Sequence, residues 1–166
     1  EDKNERIYIL QQAIDGLIAT FYRQTLFAEY EYQVHKMAEE GKPITAEILN
    51  QIMENLYLDY YGIDIKKEYN KHSVWARIPH FFNSPFYVYQ YATSYAASSK
   101  LFNDLVGSNY SKEKIENIIS LLKSGGNNDP ILQLKEAGAD LEDKNTVEAV
   151  SKKLALMVEE LEKALN

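Results

Sequence analysis

Apolar residues recur at spacings of three and four along most of this chain, which is the periodicity of an amphipathic helix. In the first stretch they are Ile7, Leu10, Ile14, Leu17, Ile18 and Phe21. A second clear stripe runs from Val147 to Leu165. No alternating strand pattern of useful length occurs between them. The sequence therefore predicts an all-α fold.

Capping residues indicate where the helices begin and end. The first helix is expected to continue to Met37 and to end near Gly41. Residues 63–83 have no helical pattern and are expected to be irregular. Further helices are predicted at residues 45–61, from Ser84 to near Gly107, from Ser111 to Gly125, from Asp129 to Gly138, and from a capping box at Asn145 to the end of the chain.

The 166 residues, 45% of them hydrophobic, are expected to form a single helical domain over residues 1–166. The apolar runs are shorter than the ~20 residues of a membrane span, which predicts a soluble protein. The first four residues are polar and include no Met. We therefore interpret the chain as a piece of a longer protein. With no cysteine and no signal peptide, the expected compartment is the cytoplasm.

Several classes of chemistry are disfavoured by the composition. The chain has no cysteine, so it has no thiolate nucleophile and no cysteine-based metal site. A net charge of −7 argues against nucleic-acid binding. The three histidines, His35, His72 and His80, include no pair at the i,i+4 spacing of a helical zinc site and no His-Glu-x-x-His motif. We therefore predict no metal ligands in this chain.

Other catalytic arrangements are weak. A Ser/His/Asp triad is not excluded, but no Gly-x-Ser-x-Gly elbow is present. Glu29 and Glu31 could form a carboxylate pair. However, two residues apart on a helix their side chains diverge by about 200°, so a dyad is disfavoured.

Tyrosine is the most distinctive residue type, with 13 Tyr against 6 Phe and 1 Trp. Tyr87, Tyr91 and Tyr95 follow a helical i, i+4, i+8 spacing just after His80, while Tyr89 points away from them. Tyrosines at such a spacing usually pack in a core. Buried phenol hydroxyls nevertheless need hydrogen-bond partners, which favours a cleft along one face.

Residues 75–93, WARIPHFFNSPFYVYQYAT, resemble the C-terminal part of oligoendopeptidase F, of the thimet-like (M3) zinc metallopeptidase family. Residues 23–31, RQTLFAEYE, are similar to the Arg-Gln-Thr-x-Phe-Ala-Glu-x-Glu helix of that family. Residues 124–130 and 134–141, SGGNNDP and LKEAGADL, resemble its terminal signature. The order and spacing agree over nearly the whole chain.

The resemblance implies the helical C-terminal part of a larger zincin-like metallopeptidase that cleaves short peptides in a deep channel. In this family a His-Glu-x-x-His helix and a further Glu bind zinc, and these lie upstream of this chain. Zinc is therefore expected in the full-length enzyme, and none in this chain alone, which is predicted to be inactive.

The resemblance also implies roles for residues in the tyrosine segment. Tyr89 is favoured as the donor to the oxyanion, and His80 as the other catalytic residue, in contact with the substrate. Tyr87 and, more weakly, Tyr91 are assigned to substrate binding. His35, Glu29 and Arg23 are expected to be structural.

The expected partners are short peptides and the upstream half of the same protein, with neither nucleic acid nor membrane. The surface that meets that half would be exposed in this chain alone, which is expected to self-associate. The alternative is a stand-alone helical module that binds a peptide or protein partner through its tyrosine-rich face and has no catalytic activity.

Overall fold

The computed structural model describes residues 2–67 and 72–166. Within these residues the chain is helical and contains no β-strand, so the all-α prediction is confirmed. The helices are α1 (Lys3–Leu17), α2 (Arg23–Glu39), α3 (Ala46–Tyr61), α4 (His80–Asn83), α5 (Tyr89–Gly107), α6 (Lys112–Ser124), α7 (Pro130–Ala137) and α8 (Lys144–Leu165). Two 3₁₀ turns, Ile65–Lys67 and Val74–Arg77, lie between α3 and α4.

The first predicted helix is interrupted by a π-helical segment. Ile18–Tyr22 separates α1 from α2, where the apolar spacing predicts an uninterrupted α-helix. The wider turn admits one extra residue and rotates the helix face that follows it. The hydrophobic period alone does not reveal such an insertion.

Most helix ends follow local capping chemistry as predicted. Thr45 Oγ1 accepts a hydrogen bond from the Ile48 amide at 3.4 Å and caps α3. Asp129 caps α7 through its side chain. Gly62 and Gly138 end α3 and α7 in the left-handed conformation, with φ of 65° and 105°, where glycine pays no steric cost.

Two predicted helix starts are wrong. Ser84 does not cap α5, which begins five residues later at Tyr89, because Phe86 has a φ of 56° and a left-handed residue ends helical propagation. The last helix is capped by Asp143, whose Oδ1 accepts from the Asn145 amide at 3.0 Å. The N-cap of α8 is therefore Asp143, and not the capping box predicted at Asn145.

The chain divides into two compact units. One unit comprises the residues up to Ile18 together with Thr93–Asn166, and the other comprises Ala19–Ala92. In the first unit α1 packs on α8, and α6 packs on α7. The single domain over residues 1–166 stays a prediction. No helix in the described part of the chain has the length and apolar character needed to cross a membrane.

The Ala19–Ala92 unit has its own hydrophobic core, to which α2, α3 and the segments that follow them contribute. Its buried members are Leu26, Phe27, Tyr30, Met53, Leu56, Ile65, Val74 and Val88. Trp75 packs against this core, and its indole Nε1–H donates to Asn50 Oδ1 at 2.7 Å. The only tryptophan of the chain therefore reports on the folding of this unit.

Tyr30 carries a polar atom into that core. Its side chain is 3% exposed, and its hydroxyl has no hydrogen-bond partner among the described residues. Burial raises the pKa of the Tyr30 hydroxyl above its ordinary value, because the phenolate would lose its hydration. An unsatisfied buried hydroxyl costs about 1–3 kcal/mol of stability.

Tyr30→Phe is therefore expected to raise the free energy of unfolding by about 1 kcal/mol at neutral pH. Since the folded-state pKa is raised, the contribution of the wild-type tyrosine to stability is complete below about pH 10 and falls as the pH rises above it. The variant should lose less stability between neutral pH and about pH 11. Urea unfolding followed by Trp75 fluorescence measures both quantities.

Tyr32→Phe is the matched control, because Tyr32 lies on the same helix and is exposed. Its stability is expected to be unchanged at neutral pH. A Tyr30→Phe variant less stable than the wild type would contradict the assignment of an unsatisfied hydroxyl.

Candidate functional site

The residues singled out in the sequence lie on a short helix, a turn and the start of a long helix. His80 is the first residue of α4, and Phe86 and Tyr87 lie in the turn that follows α4. Tyr89 and Tyr91 open α5. All of them belong to the Ala19–Ala92 unit, so their mutual geometry is set within one compact body.

Three of the four candidates come together as a cluster of rings. His80 stacks on Tyr87 at 5.4 Å between centroids, with the ring planes 11° apart. Tyr91 meets both rings edge-on, at 6.1 Å from His80 and 5.6 Å from Tyr87. We call His80, Tyr87 and Tyr91 the ring cluster. Edge-to-face and offset contacts at these distances are favourable and hold the imidazole in a fixed orientation.

The ring cluster faces outward. Tyr87 and Tyr91 are 42% and 38% exposed, so both can meet a ligand without being withdrawn from a core. A phenol hydroxyl donates and accepts, and an imidazole does the same in its neutral form. The cluster can therefore stack on a flat group such as a peptide bond and offer it hydrogen bonds.

Tyr89 lies on a different side of the helix. It is 49% exposed and is two residues from Tyr91, which corresponds to about 200° around α5. Its role as oxyanion donor stays a prediction.

Helix α2 supports the segment that carries the ring cluster. Two rings of α2 pack on Phe81, the residue after His80. The Phe27 ring meets it edge-on at 5.7 Å between centroids, and the Tyr30 ring stacks on it at 5.2 Å. One to two turns further along α2, the His35 ring lies 4.5 Å from Phe86. His35 thus packs against the turn that precedes Tyr87.

Glu29 and Glu31 of α2 have separate partners. Glu29 Oε1 accepts from Gln33 Nε2 at 2.8 Å, one turn along the same helix. Glu31 is buried, 3% exposed, and its Oε1 accepts from the backbone amide of Phe86 at 2.8 Å. From the sequence, Glu31 is half of a disfavoured carboxylate pair and the last residue of the RQTLFAEYE match, with no role of its own. A partner 55 residues away leaves no local signal by which this contact could be found.

The described residues do not fit a zinc site. Across 2–67 and 72–166, no group of three or more His, Asp or Glu side chains is arranged to hold a metal ion. A catalytic zinc takes three protein ligands and leaves one position open.

Comparison with known proteins identifies the family. Residues 1–153 match the family model of peptidase family M3, and the chain belongs to this family. The resemblance to the oligoendopeptidase F group is confirmed by its relatives. Oligopeptidase PepF of Bacillus subtilis is 36% identical over 165 residues, which are 99% of this chain and 24% of that protein. An oligoendopeptidase F homolog of Borreliella burgdorferi is 39% identical over 162 residues, 98% of this chain and 27% of that protein.

Two crystal structures share the fold. Oligoendopeptidase-F from Enterococcus faecium superimposes with a TM-score of 0.89 at 33% identity, over 100% of this chain and 32% of that one. A putative peptidase from Chlamydophila abortus gives a TM-score of 0.87 at 34% identity, over 99% of this chain and 27% of the other. This chain spans about a quarter of the length of the sequence relatives it matches.

Proposed function

We propose that this chain is the C-terminal part of a zinc-dependent oligoendopeptidase that hydrolyses short peptides. The observation that carries the proposal is the match of residues 1–153 to peptidase family M3, together with relatives that are named oligopeptidases or oligoendopeptidases. The absence of cysteine from the chain fits a reducing compartment, and the proposed location is the cytoplasm.

The contribution of this chain is a wall of the substrate channel, lined by the tyrosine segment. The ring cluster supports this role because it is outward-facing and because its neighbours in the chain, Phe81 and Phe86, pack against α2. Tyr87 and His80 hold the peptide by stacking and hydrogen bonding. One phenol donates a hydrogen bond to the oxygen that becomes negative when the peptide carbonyl is attacked.

The geometry favours Tyr91 as that donor. Tyr91 contacts both His80 and Tyr87, so its hydroxyl is carried on the same surface as the groups that bind the peptide. Tyr89, which the family resemblance favours, is about 200° away around the helix. An oxyanion donor and the residues that hold the same peptide bond must share one side.

The zinc ligands belong to the part of the protein that this chain does not cover. The relatives are about four times as long as the matched region, and the described residues offer no metal site. The metal would supply the Lewis acidity for attack on the peptide bond. The residues of this chain bind, orient and donate hydrogen bonds.

An apolar stripe lies exposed on α6, and we assign it to the surface that meets the remaining part of the protein. Ile115, Ile119 and Leu122 are exposed at the i, i+4, i+7 spacing that forms one stripe of a helix. The isolated chain is therefore expected to self-associate, and Ile119→Lys to reduce association, because a charge in the stripe opposes its burial. Light scattering over a range of concentrations measures this, and a strict monomer at the highest concentration would contradict it.

The function is tested by hydrolysis of an internally quenched fluorescent oligopeptide by the full-length protein. Cleavage of short peptides, with folded proteins left intact, is the expected result. A full-length protein that binds peptides without cleaving them would support the alternative, a helical binding module.

A further inference from the structure

Glu31 is an acidic side chain inside the core of the Ala19–Ala92 unit. It is 3% exposed on α2, between Tyr30, which is also buried, and the exposed Tyr32. A carboxyl group removed from water requires a donor in its place. Here the donor is a backbone amide of another segment, Phe86 N–H, at 2.8 Å from Oε1.

Phe86 needs this support. Its φ of 56° lies in the left-handed region, where the Cβ of a non-glycine residue meets steric conflict. Residues held in this region persist only where their surroundings determine them. Glu31 binds the backbone of Phe86, and His35, one turn further along α2, packs on its ring at 4.5 Å. Two neighbouring side chains of one helix face therefore fix a single strained residue.

The conformation of Phe86 sets the position of the next residue. Tyr87 follows it directly and lies parallel to His80 at 5.4 Å and 11°. If Phe86 relaxed to a negative φ, the chain direction at Tyr87 would change and the two rings would separate. Tyr91, which contacts both rings, would lose one of its neighbours.

We propose that Glu31 is a positioning residue, whose buried carboxyl group holds Phe86 in the left-handed conformation and thereby sets Tyr87 against His80 for peptide binding. This inference rests on the proposed function, in which the ring cluster binds the substrate. Glu31 itself does not touch the peptide. Its effect reaches the reaction through the backbone of Phe86.

The experiment uses the full-length protein and three substitutions of Glu31. Glu31→Leu removes the acceptor while keeping the volume of the side chain. Glu31→Asp shortens the side chain by one methylene and so withdraws the acceptor from the Phe86 amide. Because it keeps the carboxyl group, it is the variant to measure where Glu31→Leu does not fold. Glu31→Gln retains an oxygen at Oε1 that can accept from the Phe86 amide. Met53→Ala is the matched control, because Met53 is fully buried in the same core on α3, so its loss affects stability without removing the contact.

Two readouts separate positioning from stability. Hydrogen exchange at the Phe86 amide is expected to accelerate at least tenfold in Glu31→Leu and Glu31→Asp and to stay near wild type in Glu31→Gln and Met53→Ala. At a temperature where all variants are folded, kcat/KM should fall by about 10- to 100-fold in the first two, since misplacement by about 1 Å costs this much. Glu31→Gln should restore most of it.

Three results would overturn the inference. One is an unchanged hydrogen-exchange rate at the Phe86 amide in both Glu31→Leu and Glu31→Asp. Another is a loss of activity in Glu31→Gln equal to that in Glu31→Leu. The third is an equal loss in Met53→Ala. If the wild-type protein hydrolyses no peptide, the proposed function fails, and the exchange rate of the Phe86 amide alone decides whether Glu31 positions the segment.

Discussion

Replacing Tyr91 by Phe in the full-length protein is expected to lower kcat by about 10²–10³, or about 3–4 kcal/mol of transition-state stabilisation, with little change in KM. The substitution keeps the ring and its contacts with His80 and Tyr87 and removes only the hydroxyl. A tyrosine hydroxyl is a hydrogen-bond donor, so it can donate to the oxyanion. The oxyanion is absent from the bound substrate and forms only when the carbonyl is attacked, which is why kcat falls and KM does not.

Tyr89→Phe is the matched variant, two residues away on the same helix and also exposed. Side chains two apart point in directions that differ by about 200°, so the two phenols cannot serve the same oxygen equally. We expect Tyr89→Phe to stay within about threefold of the wild type, as for a surface substitution outside the site. Steady-state kinetics on one quenched peptide measures both variants.

The opposite result has a clear meaning. A loss in Tyr89→Phe alone would support the role that the family resemblance implies for Tyr89, and it would remove Tyr91 from the reacting centre. A loss in neither variant would contradict the proposal that this segment supplies the oxyanion donor. Thermal unfolding shows whether both variants are folded at the assay temperature, so that a loss of kcat is not caused by unfolding.

Most of the helices could be predicted from the sequence because the signals that define them are local, whereas α4 lies within residues 63–83, which the sequence predicts to be irregular. Thr45 and Asp129 cap through hydrogen bonds to amides two or three residues away. Gly62 and Gly138 end helices through their own freedom of φ. Each of these can be recognised within a window of a few residues.

The start of α5 could not be predicted, because its cause is distant in the chain. Ser84 followed by Pro85 has the local chemistry of a helix start. It fails here because Phe86 adopts a positive φ, in a turn whose backbone amide donates to Glu31, 55 residues earlier. The contact between Glu31 and the Phe86 amide could not be predicted as part of the candidate site either. From the sequence, only side chains at a known catalytic spacing could be recognised. A contact between a carboxyl group and a remote backbone amide has no characteristic spacing in the sequence.

The ring cluster was predicted in part. The rings of Tyr87 and Tyr91 lie 5.6 Å apart, but Tyr87 lies in the turn before α5, so the helical i,i+4 spacing does not account for this contact. The stacking of His80 on Tyr87 depends on the turn between α4 and α5, which no periodicity describes. Motif resemblance could identify these residues, but their arrangement required the packing of α2 against the segment.

Chelation is expected to abolish peptide hydrolysis by the full-length protein. Zinc added to the isolated 166-residue chain is expected to produce no hydrolysis. The reason is the number of ligands. A catalytic zinc needs three protein ligands, and in the described part of this chain no three His, Asp or Glu side chains are arranged to hold a metal ion. His35 and His80 each lie against an aromatic ring, an arrangement suited to packing and hydrogen bonding.

The measurement pairs activity with metal content. Full-length protein and isolated chain are each dialysed against a chelator, given one equivalent of zinc, and assayed for bound metal and for cleavage of the quenched peptide. Full-length protein should regain both, and the isolated chain neither. Tight stoichiometric zinc on the isolated chain that is lost in His72→Gln or His80→Gln would contradict this division of roles. The ring cluster would then have to be reinterpreted as part of a metal site, because a histidine that binds zinc through one nitrogen cannot offer that nitrogen to the substrate.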